Sequence, residues 1–272
     1  MISRAIPSEM SPVAVSEVDR MLEEIAQTSG VHIPWAIESG SRAWGFPSPD
    51  SDYDARFIYV RPASHLLTIW PRRDVIERPI VGDMDVNGWD LAKALKLILR
   101  GNAVVVEWLQ SPIIYRGVPW FRETLLTFAS DWTDRQRIAS HYLHLSRRQR
   151  DLHLNASEVS LKKVFYALRP AAALRWLRLH PGEALPPMHF PTLMQECDPP
   201  KDVVELTREL TLRKAATREM GTGSVPSAVL NFIDSVIADA ELEDSVRPVS
   251  PDAAIAADQL YAAVIKRLDV GQ

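Results

Sequence analysis

The stretch Gly40-Ser41-Arg42-Ala43-Trp44-Gly45-Phe46-Pro47-Ser48-Pro49-Asp50-Ser51-Asp52-Tyr53-Asp54 holds the residues whose types and spacing suit a chemistry. A strand that ends in Gly40-Ser41 exposes backbone N–H groups and a hydroxyl, an arrangement that cradles phosphate oxygens. Asp52 and Asp54 stand two apart where a strand begins, so both carboxylates share one face and can point into one site. Two like charges so placed are costly unless a cation or a proton neutralises them. Hard oxygen ligands favour Mg2+ or Mn2+, which bind through a few carboxylates together with substrate phosphates. A third acid beside the pair would allow two metals about 3.5–4 Å apart, clamping the attacking and leaving oxygens of a phosphoryl transfer. A calcium loop is excluded: Asp50, Asp52 and Asp54 have the right spacing, but Ala55 and Arg61 stand where that loop needs Gly and Glu.

Elements on either side must position these residues. Ser11-Pro12 opens a helix with an N-cap serine and a proline at the first helical position. Val15, Val18, Met21, Leu22 and Ile25 repeat at helical spacing until Gly30 stops it. An apolar run, 31–37, leads into a loop over 38–51 rich in Gly, Ser, Pro and Asp. Residues 53–60 read as a strand and 83–88 as the end of a third, followed by a helix over 89–100. From about residue 134 the strand signals vanish, and helical patterns run over 134–154, 158–179, 201–219, 225–240 and 251–269. The expected organisation is α+β: a catalytic domain over 1–133 and an all-helical domain over 134–272.

The 272 residues are 46% hydrophobic and 24% charged, a composition that excludes a disordered chain. No run approaches about 18 uncharged apolar residues, so no membrane span is expected. The opening MISRAIPSEM lacks an apolar core and a cleavage pattern, and the expected location is the cytoplasm. Cys197 is the sole cysteine, which rules out an intramolecular disulfide and a cysteine-rich zinc site. The net charge of −4 is uneven: −5 over 1–134, +8 over 135–178 and −7 over 179–272. The basic middle is either a phosphate-binding surface or a solvated helical face paired to the acidic parts.

Gly-Ser, ten intervening residues and then Asp-x-Asp opening a strand resembles the signature of DNA polymerase β-type nucleotidyltransferases. Four further segments are similar to a narrower branch, the RlaP-type proteins of RNA repair: DVNGWDLAKAL (85–95), NAVVVEWLQSPIIY (102–115), LKKVFYALRP (161–170) and PPMHFPTLM (186–194). The resemblance implies a mixed sheet flanked by helices, followed by a helical domain that closes over the nucleotide. It implies that Gly40 and Ser41 hold the triphosphate of an NTP, and that Asp52 and Asp54 bind Mg2+ or Mn2+. The third carboxylate of that superfamily lies on a later strand. Asp85 is the choice, as metal ligand or base toward the attacking hydroxyl, and Asp90 is the alternative, with helix capping as its plain explanation. Arg42 would contact a phosphate or pair with a nearby aspartate.

Lys162, Tyr166 and Arg169 fall on one helix face within the basic segment and would grip triphosphate or RNA backbone, or else form a solvated face. Glu107 reads as structural. His141 and His144 lack an evident third metal ligand, and Trp44 could stack on a base. The expected activity is transfer of an NMP to an acceptor hydroxyl, with RNA as the acceptor. A protein hydroxyl is the runner-up, and a non-catalytic nucleotide sensor is the reading from another class.

Overall fold

The computed structural model describes residues 3–70, 72–218, 220–240 and 248–269. After a short strand β1 (Ser3–Ala5), helix α1 (Pro12–Ser29) begins as the sequence marks it: the Ser11 hydroxyl accepts the Ala14 N–H and Pro12 takes the first position. Its stripe of Val15, Val18, Leu22 and Ile25 is buried. Then come β2 (His32–Glu38), α2 (Gly40–Trp44), β3 (Tyr53–Val60), β4 (Val75–Glu77) and β5 (Met84–Asp90). Helices α3 (Leu91–Leu99) and α4 (Ala103–Gln110), strand β6 (Ile114–Gly117) and helix α5 (Pro119–Trp132) complete the first half. The sheet order is β1-β6-β2-β3-β5-β4; β3 and β5 run parallel and the other neighbours antiparallel. The expected α+β class, with a mixed sheet, is what the chain forms.

Each sheet face buries a different set. Phe57, Tyr59, Val86 and Tyr115 pack under α1. Trp35, Ile37, Ile58 and Val60 pack under α3, α4 and α5. Full burial of one such side chain contributes about 1.5–3 kcal/mol, so two covered faces hold the strands in register.

The second half is helical: α6 (Arg135–His153), α7 (Leu161–Leu179), α8 (Phe190–Glu196), α9 (Lys201–Ala216), α10 (Ser227–Asp239) and α11 (Pro251–Asp269). A two-stranded pair, β7 (Val159–Ser160) with β8 (Thr222–Gly223), sits at the start of α7. Helix α7 is buried along most of its length, and Phe46 and Ala103 of the first half join its cluster. The helix expected over 251–269 forms, but Ala253, Val264 and Ile265 pack in the cluster of α3, α4 and α5. Helix α11 therefore packs on the sheet-bearing half rather than on the cluster around α7. No helix among the described residues is long and apolar enough to cross a membrane.

Several boundaries differ from the sequence reading. Trp89 and Asp90 belong to β5, and the helix starts at Leu91 because the Asp90 carboxylate caps Ala92 N–H at 2.9 Å. Helices α4 and α5 had no counterpart in it. Val104-Val105-Val106 has strand propensity, yet the Asn102 cap, 2.9 Å from Val104 N, and burial of Val105, Val106 and Leu109 make it helical.

Candidate active site

Strands β3 and β5 lie side by side with Asp54 opposite Asp85. The two-residue alternation of β3 sends Tyr53, Ala55 and Phe57 into the core under α1, and Asp52, Asp54 and Arg56 to the other face. On that face Ile58 and Val60 are covered by helices, whereas Asp52 is exposed and Asp54, Arg56 and Asp85 are half-buried. The acids thus stand at the open end of a face whose other end is sealed.

Arg56 bridges two of them. Its Nη2 donates to Asp54 Oδ1 at 3.0 Å and to Asp85 Oδ2 at 2.7 Å, while Nη1 donates to the Asp85 carbonyl at 2.8 Å. Burial first, and then repulsion from Asp85 and Asp52, holds the Asp54 carboxyl above the usual range against the pull of Arg56. An Asp54 carboxylate that feels the charges of two other acids, with oxygen as the only donor type, suits a hard divalent cation. As they stand, no three His, Cys, Asp or Glu side chains among the described residues are close enough together to hold a metal ion. Arg56 stands between Asp54 and Asp85 as their counter-charge. Asp90 is not a member of this set. It lies at the far end of β5, caps α3 and pairs with Arg61 at 3.2 Å.

Residues 40–44, expected as loop, form the short helix α2. Gly40 opens it at φ +60°, and a Cβ there would lie 2.0 Å from Asp54 Oδ2. Only glycine both adopts that backbone and leaves room for the carboxylate. Gly45 ends the helix at φ +87°, and a Cβ there would come within 2.5 Å of His189 Nε2. Beneath Asp54 lies Glu38, fully buried at the end of β2. Its Oε1 accepts the Asp54 N–H at 2.8 Å and its Oε2 the Tyr115 hydroxyl at 2.5 Å. Burial pushes this carboxyl up to about 7 despite both donors.

Ser41 donates to Ser51 Oγ at 2.8 Å, and Ser48 lies 3.0 Å from the same oxygen. Arg42 makes neither a carboxylate pair nor a free cation. It donates to the carbonyls of Ser51 at 2.5 Å and Asp52 at 3.1 Å and covers the Tyr53 ring at 4.1 Å, so it clamps the backbone that carries Asp52.

The predicted face of α7 divides. The Tyr166 phenol is raised by burial first and then by the fields of Asp54 and Asp52, which places it by the acids. Lys162 is half-buried, and its charge is felt at Asp50. Arg169 does not reach the site. Its guanidinium is buried against Glu107 at 2.9 and 3.1 Å, with the Tyr142 hydroxyl donating to Glu107 at 3.0 Å. Seven residues along a helix is about 10 Å, which carries Arg169 from the rim into the core. There it lies 4.2 Å from the Trp44 ring and fixes that tryptophan against Tyr166.

Residues 15–263 match the family described as RlaP, an RNA repair pathway DNA polymerase beta family. The chain belongs to the RlaP family. It is also similar to the uncharacterized protein YcgL of Bacillus subtilis (strain 168), 38% identical over 216 residues that cover 79% of this chain and 82% of that protein. The RlaP match spans the acids, Gly40 and Ser41 at the start of α2, and helix α7, which carries Lys162 and Tyr166.

Three site residues of this RlaP chain were not singled out by sequence reasoning. Arg56 extends the Asp52, Asp54 alternation by one more step, a signal that was available. Glu38 is a lone acid closing an apolar strand, which carries no signal without its partners. Lys214 occupies the buried stripe of α9 with Val203, Thr207 and Leu210, a cation where the helical period calls for an apolar residue.

Proposed function

We propose that this RlaP chain is a metal-dependent nucleotidyltransferase that moves a nucleoside monophosphate from an NTP to an acceptor hydroxyl on RNA. The observation that carries the reading is the register setting Asp54 against Asp85, with Asp52 on the same face and Gly40 directly behind Asp54. In this reading the acceptor oxygen attacks the α-phosphorus, the bond to the β-phosphate breaks, and pyrophosphate leaves. Asp85 takes the proton of the hydroxyl at Oδ1, the oxygen that Arg56 leaves free of its charge-assisted bond. Mg2+ or Mn2+ held by Asp52, Asp54 and Asp85 supplies neutralisation of the phosphoryl charge when bound. Gly40 and Ser41 line the phosphate side, and Tyr166 and Lys162 approach it from α7.

RNA is favoured as acceptor by the family description and by the +8 charge of residues 135–178. Arg147 and Arg148 are exposed on α6, and among the described residues neither has an ion-pair partner.

The test is label transfer from each α-labelled NTP, with Mg2+ or Mn2+, to cell RNA and protein fractions. Label should appear on RNA and fall by about a hundredfold or more in Asp52→Ala and Asp54→Ala, several kcal/mol of lost charge stabilisation. Thermal melting of Asp52→Ala should stay within about 2 °C of wild type, because its side chain is exposed. Full transfer by both variants would sink the assignment, and label on protein would move the acceptor class.

A further inference from the structure

Helices α6, α7 and α10 surround a cavity of about 140 Å³ in the helical half. Ala139, Leu174, Leu177 and Val236 form its apolar wall, and all four are buried. Arg135, Arg175 and Arg178 line it as well, and Asp239 is the one acid among its described lining residues. That acid is already committed, since it pairs with Arg178 at 2.5 Å on the exposed surface. Arg175 donates to the carbonyls of Cys197 at 2.7 Å and Asp198 at 2.7 Å. Arg135, half-buried at the start of α6, donates through Nη2 to the Leu177 carbonyl, and its Nε is buried with no hydrogen-bond partner. Among the described residues neither Arg135 nor Arg175 has a carboxylate partner. A buried donor left unpaired is costly, and more so when it belongs to a cation. Leu174 lies eight residues beyond Tyr166, about 12 Å along α7, so the cavity is separate from the acids of the sheet.

We propose that this cavity binds a small amphipathic carboxylate. An apolar cavity of about 150 Å³ holds benzene, so a body of about six carbon atoms fits against Ala139, Leu174, Leu177 and Val236. The carboxylate accepts the Arg135 Nε–H and supplies the anion that Arg135 lacks, with Arg175 adding to the attractive field. A single negative charge is favoured, because a second one, as on a phosphate monoester, adds repulsion from Asp239. Apolar walls with a few polar groups that fix orientation are the usual make-up of small-molecule sites. Arg135 also borders a larger cleft, about 380 Å³, beside Thr133 and Glu183. That cleft has an acid of its own, whereas the acid of the apolar cavity is spent on Arg178. The site does not depend on the nucleotidyltransferase reading, since none of its residues belongs to the face that carries Asp52, Asp54 and Asp85.

The experiment is calorimetric titration of the full chain with benzoate, benzyl alcohol, benzylamine and phenyl phosphate. Benzoate should bind with a Kd below about 1 mM, and benzyl alcohol about tenfold or more weakly, the loss of one charge-assisted hydrogen bond. Benzylamine should not bind. Arg135→Met should bring benzoate down to the affinity of benzyl alcohol. Ala139→Leu, which fills the cavity and leaves the neighbouring cleft untouched, should abolish binding of both while circular dichroism stays that of wild type. No saturable binding of benzoate, equal binding of benzoate and benzyl alcohol, or wild-type affinity in Arg135→Met overturns the site. Benzoate binding that survives in Ala139→Leu puts the ligand in the other cleft and overturns it too, and phenyl phosphate binding more tightly than benzoate rejects the carboxylate. If either variant fails to fold, the order of the four probes on wild type still decides, since only the proposed site ranks benzoate above both its neutral and its cationic counterpart.

Discussion

Glu38 is the acid on which the geometry of Asp54 depends, and it carries a measurable cost. Its pKa in the folded chain is about 7, against 4.5 for the exposed group. Because the folded value is the higher one, the stability from this group is complete below about pH 4.5 and is lost as pH rises through 7. Glu38→Gln has no charge to desolvate. Between pH 5 and pH 8 wild type should therefore lose about 2–3 kcal/mol relative to Glu38→Gln, read as the change in the gap between their urea midpoints. A gap that stays constant with pH would show that Glu38 is not the buried titrating group. At this scale the sequence was informative where chemistry repeats along the chain, as in Asp52, Asp54 and the glycine behind them. It was silent on Glu38, whose role comes from Tyr115, a partner 77 positions away.

Among the elements, α4 and α7 are joined by a buried ion pair, Glu107 to Arg169. Such a pair adds little net stability, but removing one partner strands a charge in the core at a cost of about 3–5 kcal/mol. Arg169→Met should lower the melting temperature by roughly 10 °C, with Glu107→Leu added to it restoring much of the loss. A single variant that melts within about 2 °C of wild type would contradict the pairing. The helical spacing of Lys162, Tyr166 and Arg169 was readable, and it placed all three on one face. Which part of that face lies at the rim and which in the core depends on where Glu107 of α4 meets α7. That pairing is a tertiary contact, so Arg169 could not be separated from the other two in advance.

For the molecule as a whole, charge is the property that matters most for an RNA acceptor. Arg147 and Arg148 stand exposed within the +8 segment. Binding of a single-stranded oligoribonucleotide, followed by fluorescence anisotropy, should weaken steeply with salt. The double variant Arg147→Ala/Arg148→Ala should flatten the log–log slope by about 1.4, because each phosphate contact on a single strand contributes about 0.7. An unchanged slope would remove this surface from the RNA path. The α+β class, the helix-rich second half and the shared face of Asp52 and Asp54 were legible in the sequence, since these follow from local periodicity and from spacing within one strand. The family resemblance directed attention to Asp85, which lies on β5. The rest was set by contacts between distant segments. Parallel pairing of β3 with β5 put Asp85 beside Asp54, Arg56 filled the space between them, and α11 folded back on α3. Each of these depends on segments far apart in the chain, where burial and charge are set by the neighbour and not by the residue.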